Sequence, residues 1–268
     1  MKFVVSFTTS PLRVSKMDEM MCSILSQSRA PDLFLLNVPD RFSRTGEQYN
    51  IPEDVKSKLT VNNCGRDWGP ATKVIPTVTY LKEHGYDPTD TCIIYLDDDI
   101  RYPHDMINTL ERIMDGSSIW TATGFHFKNF AICGQRVHGQ AATIAEGYGA
   151  VCVPLTTFKD DFIEYITHYM DDPDTRLSDD MTLSNYYAKH GIPIKICNIR
   201  GAYSIFDIWT SGGVLEYGNE SDALHNGADG TTDNNVNRYT KATRAFGKRN
   251  ERFIKFYFLA KNGTETVR

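Results

Sequence analysis

The chain has 268 residues, of which 41% are hydrophobic and 24% are charged, and its formal net charge is -5. This composition is typical of a globular protein long enough to bury one sizeable core. The negative charge argues against a nucleic-acid binder that relies on overall positive charge. No apolar run reaches the roughly 18 residues of a membrane span, and no basic segment with a long apolar core opens the chain. We therefore expect a cytoplasmic protein with no transmembrane segment and no nucleic-acid partner.

Strands alternate with helices along the first half of the chain. Strands are predicted at 3–7, 33–38 and 59–61, and a helix between the first two repeats apolar residues from Val14 to Leu25. A second helix carries Tyr80 and Leu81 and tolerates Pro76 in its first turn. A further strand begins at Cys92. This alternation predicts an α/β fold with a mostly parallel sheet and helices on both faces.

The second half alternates less regularly. The patterns predict helices at 103–114, 158–170 and 178–190, and strands at 118–127 and 192–199. Residues 146–154 are predicted to form a glycine-hinged loop and a strand. The helix at 158–170 is expected to bury Phe162, Ile163 and Tyr169. The segment 212–237 is rich in Gly, Asn and Asp, which is typical both of a mobile lid and of an ordinary surface loop. The basic tail at 238–255 fits a phosphate clamp, a membrane-binding surface or a solvated helix face.

An apolar run that starts at Cys92 ends abruptly in Asp97, Asp98 and Asp99. In an open α/β sheet the carboxyl end of a strand is where ligands bind, and three adjacent carboxylates repel one another unless a cation compensates them. On an extended backbone Asp97 and Asp99 share one face. Two oxygen ligands without His or Cys nearby suit Mg²⁺ or Mn²⁺. The alternative is a solvated acidic turn.

Four elements occur in an order that carries a resemblance to a known family. They are the first strand entering Thr8-Thr9-Ser10, the turn Asp67-Trp68-Gly69-Pro70-Ala71-Thr72-Lys73, the strand ending in Asp97-Asp98-Asp99, and Gly147-Tyr148-Gly149 followed by Ser178-Asp179-Asp180. Over residues 3–200 the chain resembles GT-A type glycosyltransferases, in particular inverting enzymes like those of family 2 and the sugar transferases of large algal viruses. The resemblance implies a single Rossmann-like domain, with a catalytic core at 1–205 and a loop and basic helical tail at 206–268 that complete the active site.

The resemblance also implies a reaction, the transfer of a sugar from a nucleotide-diphosphate sugar to a hydroxyl of a glycan or glycoprotein acceptor. In that reaction Mn²⁺ or Mg²⁺ neutralises charge on the departing diphosphate. The metal is assigned to Asp99, with Asp97 and His225 as further ligands. Asp97 also addresses the ribose or the sugar, and Asp98 addresses the metal or the sugar.

The resemblance assigns the general base of an inverting displacement to Asp180. The alternative is that Asp179 and Asp180 simply cap a helix. Gly147, Tyr148, Gly149 and Asp179 are assigned to the loop that meets the sugar or the acceptor, although a plain β-turn also uses glycine.

The remaining donor-binding residues follow from the first strand and the Asp67 turn. Thr8 and Ser10 are expected to bond the base or ribose and Arg13 to meet phosphate, unless they only cap the chain turn. Asp67 is expected to accept from the edge of the base, and Lys73 to reach ribose or phosphate. The sugar, a UDP- or GDP-linked hexose or deoxyhexose, is not identified more closely.

Two other functions use similar residues. A sugar-phosphate nucleotidyltransferase places a Gly-rich basic loop after its first strand, whereas residues 8–13 of this chain contain no glycine. A non-catalytic carbohydrate- or nucleotide-binding module would use the acids to hold a structural Ca²⁺.

Overall fold

A computed structural model of the protein describes residues 1–128, 131–135, 137–197, 235–255, 257–259 and 265–267. Within these residues eight strands form the main sheet. They are β1 (Lys2–Thr8), β2 (Leu33–Pro39), β3 (Thr60–Gly65), β4 (Thr91–Tyr95), β5 (Ile119–Thr121), β8 (Ala141–Ala142), β10 (Val151–Pro154) and β11 (Ile194–Ile196).

The strands of this sheet run in the order β3-β2-β1-β4-β10-β5-β11-β8. Strands β3, β2, β1 and β4 are parallel to one another, and β5 is parallel to β11. Strand β10 lies antiparallel between β4 and β5, with Val151 opposite Tyr95. The predicted mostly parallel sheet is confirmed, and β10 joins its two parallel blocks.

Helices cover both faces of the sheet, as the alternation predicts. They are α1 (Asp18–Leu25), α2 (Glu53–Lys56), α3 (Ile75–Glu83), α4 (Met106–Ile113), α5 (Phe162–Met170), α6 (Asp179–Lys189) and α7 (Asn235–Lys248). Pro76 lies in the first turn of α3, where its missing N–H leaves no helical bond unmade. The expectation that Ile163 is buried is wrong, because this residue is 37% exposed.

The core consists of two apolar layers separated by the sheet. Phe3, Val5 and Phe7 of β1 pack in the layer that contains α1 and α4, while Val4 packs in the layer that contains α3, α5, α6 and α7. Successive side chains of a strand point to opposite faces, so a strand buried on both sides reads as a continuous apolar run. This explains why β1 and β4 lack the alternation of a half-exposed strand.

The segment predicted as one strand at 118–127 forms two strands in different sheets. Strand β5 ends at Thr121, and β6 (Gly124–Lys128) begins a second sheet with β7 (Ala131–Gln135), β9 (Ile144–Ala145), β12 (Tyr257–Leu259) and β13 (Glu265–Val267). Thr121 Oγ1 donates to the carbonyl of Thr123 at 2.7 Å and stabilises the bend between them. The single-strand prediction is therefore wrong.

The C-terminal tail begins as a helix that packs on the core. Tyr239, Ala242 and Phe246 of α7 are buried in the layer that contains α6. Most of the predicted loop at 212–237, including His225, lies outside the described residues. Of the helices that the structure describes, none has both the length and the apolar character needed to cross a bilayer.

Candidate functional site

A cavity of about 490 Å³ opens at the carboxyl ends of β1 and β4. It brings together four of the motifs that the sequence analysis singles out. The predicted residues that line it are Thr8, Ser10, Arg13, Asp67, Lys73, Asp97, Asp98, Asp99, Tyr148, Asp179 and Asp180. This position, outside the carboxyl ends of parallel strands, is the usual place for a ligand in an open α/β sheet.

The three aspartates lie in a turn, because β4 ends at Tyr95. The expectation that Asp97 and Asp99 share a strand face is therefore wrong. Arg13 Nη1 lies 2.9 Å from Asp98 Oδ1 and 3.2 Å from Asp99 Oδ2, whereas Asp97 pairs with Lys73. The carboxylates of these aspartates are thus divided between two cations, Arg13 and Lys73.

Burial sets the proton affinities of this turn. Asp98 is 5% exposed and accepts from Thr9 Oγ1 at 2.6 Å as well as from Arg13. Burial raises the pKa of Asp98 despite these two donors. Burial, followed by the charges of Asp98 and Asp97, raises the pKa of Asp99 to about 7.

Lys73 is the buried cation of the cavity. It ends the turn Gly69–Lys73 that precedes α3, and its Nζ lies 2.7 Å from Asp97 Oδ1 and 3.0 Å from Asp179 Oδ2. Burial alone would lower the pKa of Lys73, but the charges of Asp179, Asp97 and Asp180 outweigh it and raise that pKa well above its usual value. Lys73 therefore stays charged and joins β4 to the start of α6.

Asp180 occupies the first turn of α6, facing the turn Gly147–Gly149. Its Oδ1 accepts from the Gly147 N–H at 2.9 Å, and its Oδ2 lies 3.5 Å from the Tyr239 hydroxyl. Burial, reinforced by the charge of Asp179, raises the pKa of Asp180 well above its usual value. A general base is commonly tuned by burial and neighbouring charges toward higher proton affinity, and the shift of the Asp180 pKa is in that direction.

The glycines of the 147–149 turn are explained by protein contacts. A Cβ at Gly147 would lie 2.4 Å from Lys73 Nζ, and one at Gly149 would lie 2.0 Å from Thr123 Oγ1. These distances are too short for any side chain. The glycines thus let the turn approach Lys73 and Thr123, and their predicted contact with a sugar stays a prediction.

The donor-binding residues predicted on β1 and the Asp67 turn differ in their freedom to meet a ligand. Thr8 Oγ1 donates to the carbonyl of Asn37 at 3.0 Å. Asp67 accepts from the backbone N–H groups of Ser43 and Gly69, each at 2.7 Å, and so fixes the loop at 40–49. Ser10 Oγ is buried and has no hydrogen-bond partner within the described residues. Among these three residues, Ser10 is the one whose polar atom a ligand would satisfy.

Several cavity residues are not assigned by the sequence analysis. Phe42, Arg44 and Tyr49 come from the loop after β2, and Glu146 comes from the residue before the 147–149 turn. Helix α7 adds three more, Asn235, Arg238 and Tyr239. Glu146 could have been identified from the sequence, because it directly precedes the Gly147-Tyr148-Gly149 motif. The loop and helix residues carry no local signal of their own.

The acidic side chains of the cavity carry enough negative charge to compensate a divalent cation. Among the described residues, seven acidic and four basic side chains line the cavity, a formal excess of three negative charges. No three potential metal-binding side chains in the described ranges form a ready metal cluster, and His225 lies outside them. Hard cations such as Mg²⁺ are commonly held by one or two carboxylates together with substrate phosphates. Asp97 and Asp99 fit that kind of site.

No protein-family model matches the chain, and curated protein sequences yield no match. Among solved structures, a 4-diphosphocytidyl-2C-methyl-D-erythritol synthase is 13% identical with a TM-score of 0.46, covering 79% of this chain and 98% of that chain. S. aureus TarS 1-349 in complex with UDP is 14% identical with a TM-score of 0.45, covering 76% and 59%.

The glycosyltransferase GlyE of Streptococcus pneumoniae TIGR4 is 10% identical with a TM-score of 0.43, covering 94% of this chain and 64% of that chain. The chain thus spans less than two thirds of the TarS and GlyE structures. These similarities concern the fold and assign neither a family nor a reaction. The resemblance to transferases of algal viruses stays a prediction.

Proposed function

We propose that the protein is a metal-dependent, inverting glycosyltransferase. It moves a hexose or deoxyhexose from a UDP- or GDP-linked donor to a hydroxyl of a glycan or glycoprotein acceptor. The observation that carries this proposal is that the turn of Asp97–Asp99 and the carboxyl group of Asp180 line one cavity. The first group suits the diphosphate end of a donor and the second suits the removal of a proton from an acceptor.

Asp180 is the general base in this proposal. The Gly147 N–H fixes one of its oxygens at 2.9 Å, and its raised pKa gives it affinity for a proton. Asp180 takes the proton of the acceptor hydroxyl while that oxygen forms a bond to the anomeric carbon. The bond from the anomeric carbon to the diphosphate oxygen breaks on the opposite face, so the configuration inverts and a nucleoside diphosphate leaves.

The departing diphosphate meets the other side of the cavity. Asp97 and Asp99 would hold the Mn²⁺ or Mg²⁺ ion, which supplies Lewis-acid stabilisation of the leaving phosphate oxygens when it is bound. Arg13, held by Asp98 and Asp99, places a guanidinium group at the same wall. Ser10 Oγ donates to an oxygen of the nucleotide and thereby gains the partner that it lacks within the described residues.

The proposal is tested with a panel of UDP-, GDP- and dTDP-sugars, assayed with Mn²⁺ and then with a chelator. Release of nucleoside diphosphate that stops with chelator supports a metal-dependent transferase. A parallel reaction contains a nucleoside triphosphate and a sugar phosphate, and release of pyrophosphate in that reaction instead identifies a nucleotidyltransferase. Binding without any product identifies a carbohydrate- or nucleotide-binding module.

Asp180→Asn separates the base from the donor site. The amide cannot accept the proton, so turnover should fall by about 100- to 10,000-fold while the dissociation constant of the nucleoside diphosphate is unchanged. Asp160→Asn is the matched control, because Asp160 is exposed and does not line the cavity. Equal turnover of Asp180→Asn and Asp160→Asn would remove Asp180 from the proposal.

A further inference from the structure

Glu146 is a cavity acid whose backbone is fixed in place. Its N–H donates to the carbonyl of Thr123 at 3.0 Å, and its own carbonyl accepts from Thr123 Oγ1 and the Gly149 N–H, each at 3.2 Å. These bonds tie Glu146 to Thr123, in the bend before β6, and to Gly149 of the 147–149 turn. The direction of its side chain is therefore set by the same turn that holds Asp180.

Among the residues that the structure describes, none supplies a counter-charge to the carboxyl group of Glu146. Within the described residues no hydrogen bond or ion pair reaches it, although the side chain is only partly exposed and lines the cavity. Burial raises the pKa of Glu146 to about 7. A partly buried carboxyl group without a partner is unfavourable unless a ligand supplies donors.

The neighbours of Glu146 place it on the acceptor side of the cavity. The N–H of Gly147, the residue that follows Glu146, donates to Asp180 Oδ1 at 2.9 Å, and the Tyr239 hydroxyl lies 3.5 Å from Asp180 Oδ2. The charge of Glu146 raises the pKa of both Asp180 and Tyr239. Tyr239 stacks on Phe125 with ring centroids 5.5 Å apart, and Tyr148 lines the same cavity. Lys73 and Arg13 pair instead with Asp97, Asp98, Asp99 and Asp179.

We propose that Glu146 binds the acceptor by accepting a hydrogen bond from a hydroxyl beside the hydroxyl that Asp180 deprotonates. The inference rests on the proposed function and names its acceptor class, a neutral pyranoside with a free hydroxyl next to the site of transfer. Both carboxyl oxygens of Glu146 are available for hydroxyl donors. The aromatic rings of Tyr148 and Tyr239 provide the apolar wall that such pockets commonly use.

The same charges select against other acceptors. An anionic sugar at this wall would face the three acids Glu146, Asp179 and Asp180, which outnumber the guanidinium group of Arg238 beside Tyr239. Like charges brought together in a cavity are unfavourable. A neutral sugar avoids this repulsion and satisfies Glu146. The acceptor is therefore a neutral pyranoside and not a uronic acid or a sugar phosphate.

The test measures the binding of methyl glycosides of glucose, galactose, mannose and fucose by saturation-transfer NMR. Each glycoside is measured with and without UDP or GDP and Mn²⁺. In the native protein one or more of these glycosides should bind, and methyl glucuronide should not. Glu146→Gln keeps the shape of the side chain but removes its charge, and should weaken glycoside binding about 10- to 100-fold. Glu164→Gln, at an exposed position on α5, is the matched control and should change nothing.

Calorimetric titration of UDP and GDP supplies the second measurement, and Glu146→Gln should leave both dissociation constants unchanged. Equal glycoside binding by Glu146→Gln and the native protein would overturn the assignment. So would a parallel loss of nucleotide binding, or the absence of glycoside binding in the native protein under every condition. If the native protein binds glycosides through Glu146 but binds no nucleotide, the transferase proposal fails while the sugar subsite stands.

Discussion

Lys73 forms a buried ion pair with Asp97, in which 4% of the lysine side chain and 35% of the aspartate side chain are exposed. Asp179 pairs with the same ammonium group, so one cation compensates two carboxylates from distant parts of the chain. Removing it would leave Asp97 and Asp179 with no compensating charge at that position. A buried pair broken on one side is strongly destabilising, even where the intact pair adds little.

Lys73→Met keeps the length of the side chain and removes its charge. We expect the free energy of unfolding to fall by about 2–4 kcal/mol, less than for a fully buried pair because Asp97 is partly solvated. Urea denaturation measures the change. Lys56→Met is the control, since its pair with Glu53 is exposed and contributes at most about 1 kcal/mol. Equal stability of the two variants would show that Lys73 is dispensable to the fold.

Gly149 lies closer to Thr123 than any Cβ atom allows. Gly149→Ala would place its Cβ 2.0 Å from Thr123 Oγ1 and 2.7 Å from Thr123 Cβ. Because Thr123 Oγ1 bonds to the carbonyl of Glu146, the clash would also disturb the wall of the cavity. We expect a loss of about 1–3 kcal/mol in the free energy of unfolding, measured by urea denaturation.

Gly247→Ala is the matched control for this substitution. Gly247 lies in α7 with open space around its Cβ position, so alanine there should leave stability unchanged or raise it by up to about 1 kcal/mol. A Gly149→Ala variant as stable as Gly247→Ala would contradict the close packing of the 147–149 turn.

Local patterns were sufficient to predict β1 to β4, α1 and α3 in the first half, whereas the short helix α2 was not predicted. The apolar residues of β1 and β2 and the early position of Pro76 in α3 each depend on neighbours in sequence. Residues 118–127 were not predictable in the same way, because no proline and no Asp, Glu, Lys or Arg marks a break within them. The break after Thr121 depends on pairing with β10 on one side and β7 on the other, which no local pattern records.

The candidate site shows the same division. An apolar run that ends in Asp97, Asp98 and Asp99 predicts acids at the edge of a sheet, and they line the cavity. Their division between Lys73 and Arg13 depends on where two distant turns lie in space. Glu146 directly precedes the Gly147-Tyr148-Gly149 motif, which is a sequence signal for its place near the site. That its carboxyl group has no partner among the described residues shows only in three dimensions.

The buried carboxyl group of Glu146, which pairs with no cation among the described residues, predicts a pH-dependent stability. Because burial raises its pKa from 4.5 to about 7, the folded protein binds this proton more tightly than the unfolded chain does. The contribution of Glu146 to the free energy of unfolding therefore decreases as the pH rises from about 4.5 to about 7. The amide of Glu146→Gln cannot lose a proton, so the free energy of unfolding of this variant should not show this decrease.

We expect Glu146→Gln to match the native protein near pH 4.5 and to exceed its free energy of unfolding by about 2 kcal/mol at pH 8. Urea denaturation at a series of pH values measures the difference. Glu164→Gln should follow the native curve throughout. A constant difference across the series, or a larger one at low pH, would contradict the raised pKa.

Asn185 on α6 binds the segment after α7 through hydrogen bonds from both polar atoms of the Asn185 side chain. Its Nδ2 donates to the Tyr165 hydroxyl at 2.7 Å and to the carbonyl of Glu251 at 2.8 Å. Its Oδ1 accepts from the N–H groups of Phe253 and Ile254 at 2.8 and 3.1 Å. Since Asn185 is fully buried, water does not replace these bonds when the side chain is changed.

Asn185→Leu keeps the volume of the side chain but leaves these backbone groups without partners. Each such group carries a penalty of about 1–3 kcal/mol, so we expect a total loss of about 3–5 kcal/mol in the free energy of unfolding. Hydrogen exchange should become faster at 251–254 and along α7, because that segment holds α7 against the core. Asn50→Leu, at an exposed position, should leave both measurements unchanged. Helix α7 contributes Tyr239 and Arg238 to the cavity. Unchanged hydrogen exchange along α7 in Asn185→Leu would therefore mean that the other contacts of α7 with α5 and α6 suffice to hold the cavity wall.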